Sequence, residues 1–151
     1  MSFTTVESVR LFMSRDTFTV EEIAQIEALI TQIDDVIENY CGWKMLARDY
    51  VNERYDGTGI SELDLKVYPI NSLTKVVVDG TDVTSQIELI ENDGLLIYTD
   101  RTTVFTAGRY NVKVDCNAGY NEVNTPPAIT YAANYLIAIN FNRSDSDNRI
   151  S

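Results

Sequence analysis

Histidine is absent from the sequence, and cysteine occurs only twice among 151 residues. Without histidine the chain can build neither a Ser-His-Asp triad nor a Cys-His pair, and it has no histidine-containing zinc site. Cys41 and Cys116 lie far apart and form no CxxC spacing, which excludes an all-thiolate zinc site and a redox motif. We predict two small buried thiols in a reducing compartment, and a chain with no catalytic residue, no metal and no cofactor.

Long hydrophobic runs are also absent. The most apolar stretch, Tyr131 to Ile139, is interrupted by Asn134 and is far shorter than the ~20 residues of a membrane-spanning helix. The first residues, Met1 to Glu7, lack the basic and apolar regions of a signal peptide. We expect a soluble protein that is made in the cytoplasm and has no contact with a membrane.

Positive charge is scarce, because 12 Lys and Arg residues stand against 23 Asp and Glu residues and give a net charge of −11. A chain this acidic repels DNA, anionic membranes and its own copies at long range. Its scattered cations supply no basic groove for reading nucleic acid. The length suits one compact domain, which we predict over residues 1–143.

A short N-terminal helix is predicted over 5–14, because Thr4 and Glu7 fit a capping box. Thr19 and Glu22 repeat this pattern at the start of a longer helix. The apolar residues of the longer helix recur at intervals of three and four: Ile23, Ile26, Ile30, Ile33, Ile37 and Tyr40. This stripe is typical of an amphipathic helix.

The longer helix is predicted over 20–41, with Gly42 supplying the left-handed residue that follows its end. Asp34, Asp35 and Glu38 fall largely outside the apolar stripe. Two interpretations stay open for this helix: it belongs to the core alone, or it also packs against a neighbouring subunit.

The segment 44–124 predicts short antiparallel strands, since β-branched residues alternate with polar ones between tight turns. Asp79-Gly80 and Glu91–Gly94 are hairpin signals. The strand Arg109–Cys116 is predicted to place Tyr110 on the same face as its valines. We expect five or six strands, with connections too short for parallel crossovers.

A last helix is predicted over 127–142, with Thr125 as its cap and proline in its first turn. Its alanines would let it lie close to the 20–41 helix. Residues that recur at helical spacing are Ile129, Ala132 or Ala133, Leu136, Ile139 and Arg143. The polar tail, 144–151, is expected to be flexible. The predicted fold class is α+β: an N-terminal helix pair and a C-terminal helix packed together, with an inserted antiparallel β region.

Several short motifs that suggest chemistry are better explained as turns. Asp56-Gly57-Thr58-Gly59 has the wrong residue order for an aspartic protease loop, and the chain has no GxxxxGK[ST] phosphate loop. Asp79–Asp82 lacks the twelve-residue spacing of an EF-hand. Carboxylate pairs are abundant, so a two-carboxylate glycosidase stays open, although no pair is singled out.

Several motifs follow one another at a characteristic spacing over nearly the whole chain. They are Tyr40–Trp43, Tyr55–Gly59, Leu63 with Leu65, Tyr68-Pro69-Ile70, and Ala118–Tyr120 before the proline-initiated, alanine-rich helix. In this order they resemble the head-to-tail connector proteins of tailed bacteriophages, also called adaptor or head-completion proteins. The stretch 71–109 is longer here than in some members of that family.

The resemblance implies a structural protein of the virion neck and no enzyme. It implies a ring of about twelve copies below the portal protein that extends the DNA channel and contacts the next neck or tail-completion protein. DNA would slide through an acidic lumen during ejection without specific binding. Apolar faces, and cations paired with neighbours' carboxylates, would offset the repulsion between copies.

Contact residues are assigned on the same basis. Contacts between subunits are expected at Arg10, Arg15, Arg48, Asp56, Gly57 and Gly59. Portal binding is expected at Asn142, Arg143, Arg149 and Ile150. A frayed terminus is the alternative for the tail that holds the last of these residues. Hairpin tips at 79–82 and 91–94 are expected on subunit-facing or tail-facing surfaces.

Two other classes of protein stay open. An acidic DNA mimic could inhibit a nucleic-acid-binding enzyme, but it would need carboxylates spaced like phosphates on one face, whereas these are interleaved with apolar stripes. A small carboxylate-based hydrolase is disfavoured by the lack of histidine and of a recognisable nucleophile motif.

Overall fold

The computed structural model describes residues 1–91 and 93–148, and it divides the chain into two compact units. The helical unit comprises residues 1–46 and the chain from Tyr120 onward, and the β unit comprises Ala47–Gly119. The helices are α1 (Val6–Phe12), α2 (Val20–Cys41) and α3 (Pro127–Asn148). The strands are β1 (Arg48–Gly57), β2 (Glu62–Asp64), β3 (Ile70–Val78), β4 (Thr81–Asp82), β5 (Ile87–Ile90), β6 (Leu95–Tyr98) and β7 (Gly108–Ala118). The predicted α+β class is confirmed.

The predicted capping box of α2 is present. The Thr19 hydroxyl accepts from the Glu22 N–H at 3.2 Å, and the Glu22 carboxylate accepts from the Thr19 N–H at 2.8 Å. Gly42 ends the helix with φ +75°. The bounds Val20–Cys41 therefore agree with the prediction, because local signals specify both ends.

The predicted cap of α1 is wrong by one residue. Thr5 caps the helix by accepting from the Ser8 N–H at 3.1 Å, and the helix is shorter than the predicted range 5–14. Thr4 is instead buried, and its hydroxyl donates to the Asn134 side chain on α3. A cap would have the hydroxyl accept from a backbone N–H, whereas here it donates to the Asn134 side-chain oxygen, and the Asn134 amide in turn donates to the Ser8 hydroxyl.

The core of the helical unit is formed by all three helices and the segments beside them. Its buried residues are Phe3, Val9, Ile26, Ile30, Ile33, Met45, Ala133, Ile137 and Phe141. The predicted α2 stripe is wrong at its ends, because Ile23 is 36% exposed and Tyr40 is 92% exposed. The predicted spacing on α3 is also displaced: Ile139 is 38% exposed, while Ile137 is fully buried.

The third helix begins as predicted at Pro127 but continues to Asn148, six residues beyond the predicted end at Asn142. The hydroxyl of Thr125, the predicted cap, donates to the Asn121 carbonyl. The first helical carbonyl acceptor is that of Pro126, which takes the Ile129 N–H at 2.9 Å. The predicted flexible tail, 144–151, therefore overlaps the helix, and its last three residues lie outside the described residues.

The β unit contains two antiparallel sheets with strand orders β1-β7-β3-β4 and β2-β6-β5. In residues 47–91 and 93–119 seven strands replace the predicted five or six, because the Asp79-Gly80 turn is followed by the two-residue strand β4. Both turn residues have positive φ, as this type of hairpin requires. The core of the unit includes Tyr55, Leu63, Val76, Leu96, Phe105, Val112 and Val114.

The predicted alternation of β7 is correct from Val112 to Cys116, which are buried at every second position. Tyr110 departs from it and is 50% exposed, because it has φ +54° and its N–H donates to the Asp56 carboxylate at 2.7 Å. The prediction for the cysteines is half correct, since Cys116 is buried but Cys41 is exposed; both are free thiols. None of the helices within the described ranges is long and apolar enough to cross a membrane.

Candidate functional site

An apolar groove of about 400 Å³ lies in the helical unit, where α2 ends and α3 begins. Its lining residues are Val36, Ile37, Tyr40, Cys41, Ala128, Ile129, Ala132 and Leu136. None of them is charged. Two of them, Val36 and Tyr40, are 52% and 92% exposed. We call this feature the α2–α3 groove.

The outer face of α3 extends the groove as a ridge of larger side chains. Tyr131, Tyr135 and Ile139 are 60%, 51% and 38% exposed. The two tyrosine rings stack at 6.4 Å between centroids. Ile139 lies three positions beyond the groove residue Leu136 and four beyond Tyr135, so all of these side chains share one surface of the helix. We call this feature the α3 ridge.

Charge is missing from the whole of this surface. No charged residue occurs between Glu122 and Arg143, although 23% of the chain is charged. Exposed apolar side chains are normal when they are scattered, but a contiguous patch marks an interaction site. Tyrosine is also enriched where proteins bind one another. The groove and the ridge together are therefore the candidate functional site, and the chemistry they support is protein docking.

Sequence reasoning left open whether α2 also packs against a neighbouring subunit, and it did not predict the groove or the ridge. The signal was present in α3, whose apolar residues cover both sides of the helix. Ala133, Ile137 and Phe141 are buried, while Tyr131, Tyr135 and Ile139 point away from them and are exposed. A helix with apolar residues on an outer face as well as an inner one has a second apolar face that its own core does not cover.

Two buried carboxylates on α2 hold the chain segments that flank this helix. Glu38 is 4% exposed and accepts from the N–H groups of Met45 and Leu46 at 2.7 and 2.8 Å. The Lys44 ammonium also donates to it at 2.9 Å. These bonds fix the chain that leaves α2 beside the groove residues Tyr40 and Cys41.

Asp34 is 7% exposed and accepts from the Phe3 N–H at 3.1 Å. Burial raises the pKa of the Asp34 carboxyl to about 6, although the Phe3 N–H and the N-terminal amine act against the rise. Asp34 and Glu38 both fell outside the apolar stripe of the sequence, and the structure buries them because backbone N–H groups nearby need acceptors.

Replacing Asp34 with asparagine should flatten the pH dependence of the stability of the helical unit. The folded state holds the Asp34 proton up to about pH 6, whereas an unfolded aspartate releases it near pH 4. Wild-type stability is therefore expected to fall by about 1–3 kcal/mol, relative to Asp34→Asn, as the pH rises from 4 to 7. Urea unfolding followed by Trp43 fluorescence at several pH values measures this, and a pH-independent difference between the two proteins would contradict it.

The cations predicted to pair with neighbouring subunits have partners within the chain. Arg10 pairs with Glu7 at 2.6 Å and donates to the Arg15 carbonyl at 2.7 Å. Arg15 pairs with Glu22 at 3.6 Å and lies over the Phe18 ring at 5.7 Å. Arg48 is half-buried at the start of β1. Their contacts between subunits stay predictions.

The predicted Asp56–Gly59 turn is correct only at its end, because Asp56 and Gly57 are the last two residues of β1. The segment is hydrogen-bonded to β7 and to the loop before it. Gly57 donates its N–H to the Asn111 side chain at 2.9 Å, and the same side chain donates to the Thr106 carbonyl at 2.8 Å. Gly59 has φ +75° and donates to the Phe105 carbonyl at 2.7 Å. These hydrogen bonds show that both glycines contribute to the fold of the β unit. Their role in contacts between subunits stays a prediction.

Two of the predicted portal-binding residues, Asn142 and Arg143, are exposed on α3. Arg149 and Ile150 lie outside the described residues. The described part of the chain contains no group of three or more residues that could hold a metal ion. Burial raises the pKa of the Cys116 thiol to about 11, which disfavours the thiolate that a cysteine nucleophile needs.

A two-unit chain with an uncharged docking surface has the properties of a structural assembly protein. The family model of the head completion proteins matches residues 2–149, so the chain belongs to the head completion protein family. It is a structural component of the bacteriophage head–tail connector. No curated protein matches it significantly. A solved chain described as the neck of a native GTA particle, computed with C12 symmetry, matches with a TM-score of 0.47 and 14% identity, over 90% of this chain and 78% of that one.

Proposed function

We propose that the chain is the ring-forming subunit of a phage neck and carries out no enzymatic reaction. About twelve copies assemble below the portal protein, extend the DNA channel, and present a surface to the next neck or tail-completion protein. The observation that carries the proposal is the match of nearly the whole chain, residues 2–149, to the head completion family. The subunit is made in the host cytoplasm and works in the virion.

The charge of the chain suits a passage for DNA. A ring of about twelve chains of net charge −11 carries on the order of 130 negative charges. An acidic wall repels the phosphate backbone, so DNA moves past it without being held. The same charge opposes assembly, so the subunits stay apart until the portal brings them together.

Contacts in the ring would use the apolar surface of the helical unit and the cations Arg10, Arg15 and Arg48. The turn that contains Asp56, Gly57 and Gly59 would face a neighbouring subunit. Portal docking would use the exposed Asn142 and Arg143 of α3, together with Arg149 and Ile150.

Electron microscopy of the chain mixed with its portal protein tests the proposal. We expect a ring at the narrow end of the portal, while sedimentation of the chain alone at micromolar concentration shows monomers. Stable rings without the portal would contradict the ordering role of the portal, and a portal that stays bare would contradict the proposed function.

A shortened chain without residues 145–151 tests the contribution of the tail in the same experiment. It keeps Ser144, whose hydroxyl contacts the Gln25 side chain on α2, so the fold is expected to survive. We expect no ring on the portal with this chain. Unchanged docking, with an unchanged circular dichroism spectrum, would show that the tail is a frayed terminus.

A further inference from the structure

We infer that the α2–α3 groove receives the α3 ridge of a second copy of this chain, and that this contact joins neighbouring subunits. The inference rests on the proposed ring and identifies the surface through which its neighbouring subunits contact each other. Assembly must overcome electrostatic repulsion between the copies, because each chain has a net charge of −11. Copies of such a chain repel one another less where neither surface carries a negative charge.

The groove and the ridge meet that requirement on both sides of the contact. All groove-lining residues and the ridge residues Tyr131, Tyr135 and Ile139 are uncharged. Contacts elsewhere on the described surface of α2 would bring together Glu21, Glu27 and Asp35, which are exposed on it. A second copy therefore meets less repulsion at the α2–α3 groove than at these positions of α2.

Shape also favours a second copy. The groove wall on α3 contains the small residues Ala128 and Ala132, which leave room for a side chain of a partner. The ridge beside it supplies large side chains, Tyr135 and Ile139, which are 51% and 38% exposed. One chain thus carries both the depression and the projection that fills it, as contact between identical subunits requires. Aromatic anchors in apolar pockets supply most of the binding energy of such interfaces.

The variant Ala132→Glu tests the contact by placing a charge in the groove. Ala132 is exposed in a helix, so glutamate is expected to leave the single chain folded. The matched control is Ala28→Glu, which makes the same change at an exposed position of α2 that does not line the groove. We expect Ala132→Glu to reduce ring occupancy on the portal at least tenfold and Ala28→Glu to leave it unchanged.

Cys41 identifies the occupant, because it lines the groove and is exposed whereas Cys116 is buried. A maleimide-linked photo-crosslinker on Cys41, diluted into an excess of unlabelled chain on the portal, should give a product with the mass of two 17.0 kDa chains. The unlabelled thiol should also react more slowly in the ring than in the free chain.

The outcomes separate this inference from the proposed function. If the wild-type chain forms no ring on the portal, the proposed function fails first. If rings form and Ala132→Glu assembles as well as Ala28→Glu, or if the cross-linked product has the mass of the chain plus a portal subunit, the self-contact is wrong and the ring proposal survives. A Cys41 thiol that reacts equally fast in ring and monomer would overturn the inference as well.

Discussion

Replacing Glu38 with alanine is expected to lower the free energy of unfolding of the helical unit by about 3–5 kcal/mol. The carboxylate is buried and accepts from two backbone N–H groups, those of Met45 and Leu46. Hydrogen bonds to a charged group contribute about 1.5–3 kcal/mol each, and a buried donor left without an acceptor adds its own desolvation penalty. Most of the lost stability therefore comes from the N–H groups of Met45 and Leu46, which are left without their acceptor.

Glutamine at the same position separates the hydrogen bonds from the charge. Its side-chain oxygen can still accept from Met45 and Leu46, whereas its amide cannot pair with the Lys44 ammonium, which is 2.9 Å from the carboxylate. Because the Lys44 side chain is 56% exposed, the ion pair adds little, and Glu38→Gln should retain most of the stability.

Urea unfolding followed by the fluorescence of Trp43 measures both variants, since the single tryptophan lies in the chain segment that Glu38 holds. Asp35→Ala is the control, because Asp35 is an exposed carboxylate on the same helix. Equal losses for Glu38→Ala and Asp35→Ala would show that the buried carboxylate does not stabilise the unit.

Local signals in the sequence were enough to predict much of the fold. The capping box at Thr19 and Glu22 and the glycine after Cys41 specify α2, because a helix end depends on residues within one turn of it. The Asp79-Gly80 hairpin and the alternation from Val112 to Cys116 are equally local. Each of these elements is present where the sequence predicts it.

Features that depend on distant partners could not be predicted from the sequence. Asp34 is buried because its acceptor oxygen meets the Phe3 N–H, 31 positions away in the chain. The Thr4 hydroxyl does not cap α1, because it donates to the Asn134 side chain, which is 130 positions away in the chain. A periodic pattern states which residues share a face, but it does not state which polar groups that face will need to satisfy.

The candidate site was predictable only in part, for a related reason. Hydrophobic spacing identified α3 as a helix, but of its buried apolar residues Ala133, Ile137 and Phe141 only Ala133 was among the residues predicted at helical spacing. Three tyrosines are exposed at this surface: Tyr40, Tyr131 and Tyr135. Their exposure depends on where the neighbouring helix ends, and the spacing of residues along one helix does not show that position. Arg10 and Arg15 are assigned to neighbouring subunits through the family resemblance, whereas within the chain they pair with Glu7, three residues before Arg10, and with Glu22.

Replacing Gly57 with alanine is expected to destabilise the β unit by about 3 kcal/mol or more. A Cβ at this position would lie 1.8 Å from the Thr106 carbonyl oxygen and 2.9 Å from the Asn111 side-chain oxygen. The first of these is a backbone atom, so the loop before β7 must move to admit the methyl group. That movement would also break the bonds of Asn111 to the Gly57 N–H and the Thr106 carbonyl.

Gly59→Ala is the matched control in the same turn. Its Cβ would meet only the Ala107 Cβ at an ordinary 3.5 Å, so its penalty arises from φ +75° alone and should be about 1–2 kcal/mol. Thermal unfolding followed by circular dichroism at the strand minimum compares the two variants in the isolated chain. If Gly57→Ala unfolds with wild-type stability but fails to assemble on the portal, the glycine serves a contact between subunits and not the packing of its own chain, because only an intrachain clash can lower the stability of a monomer.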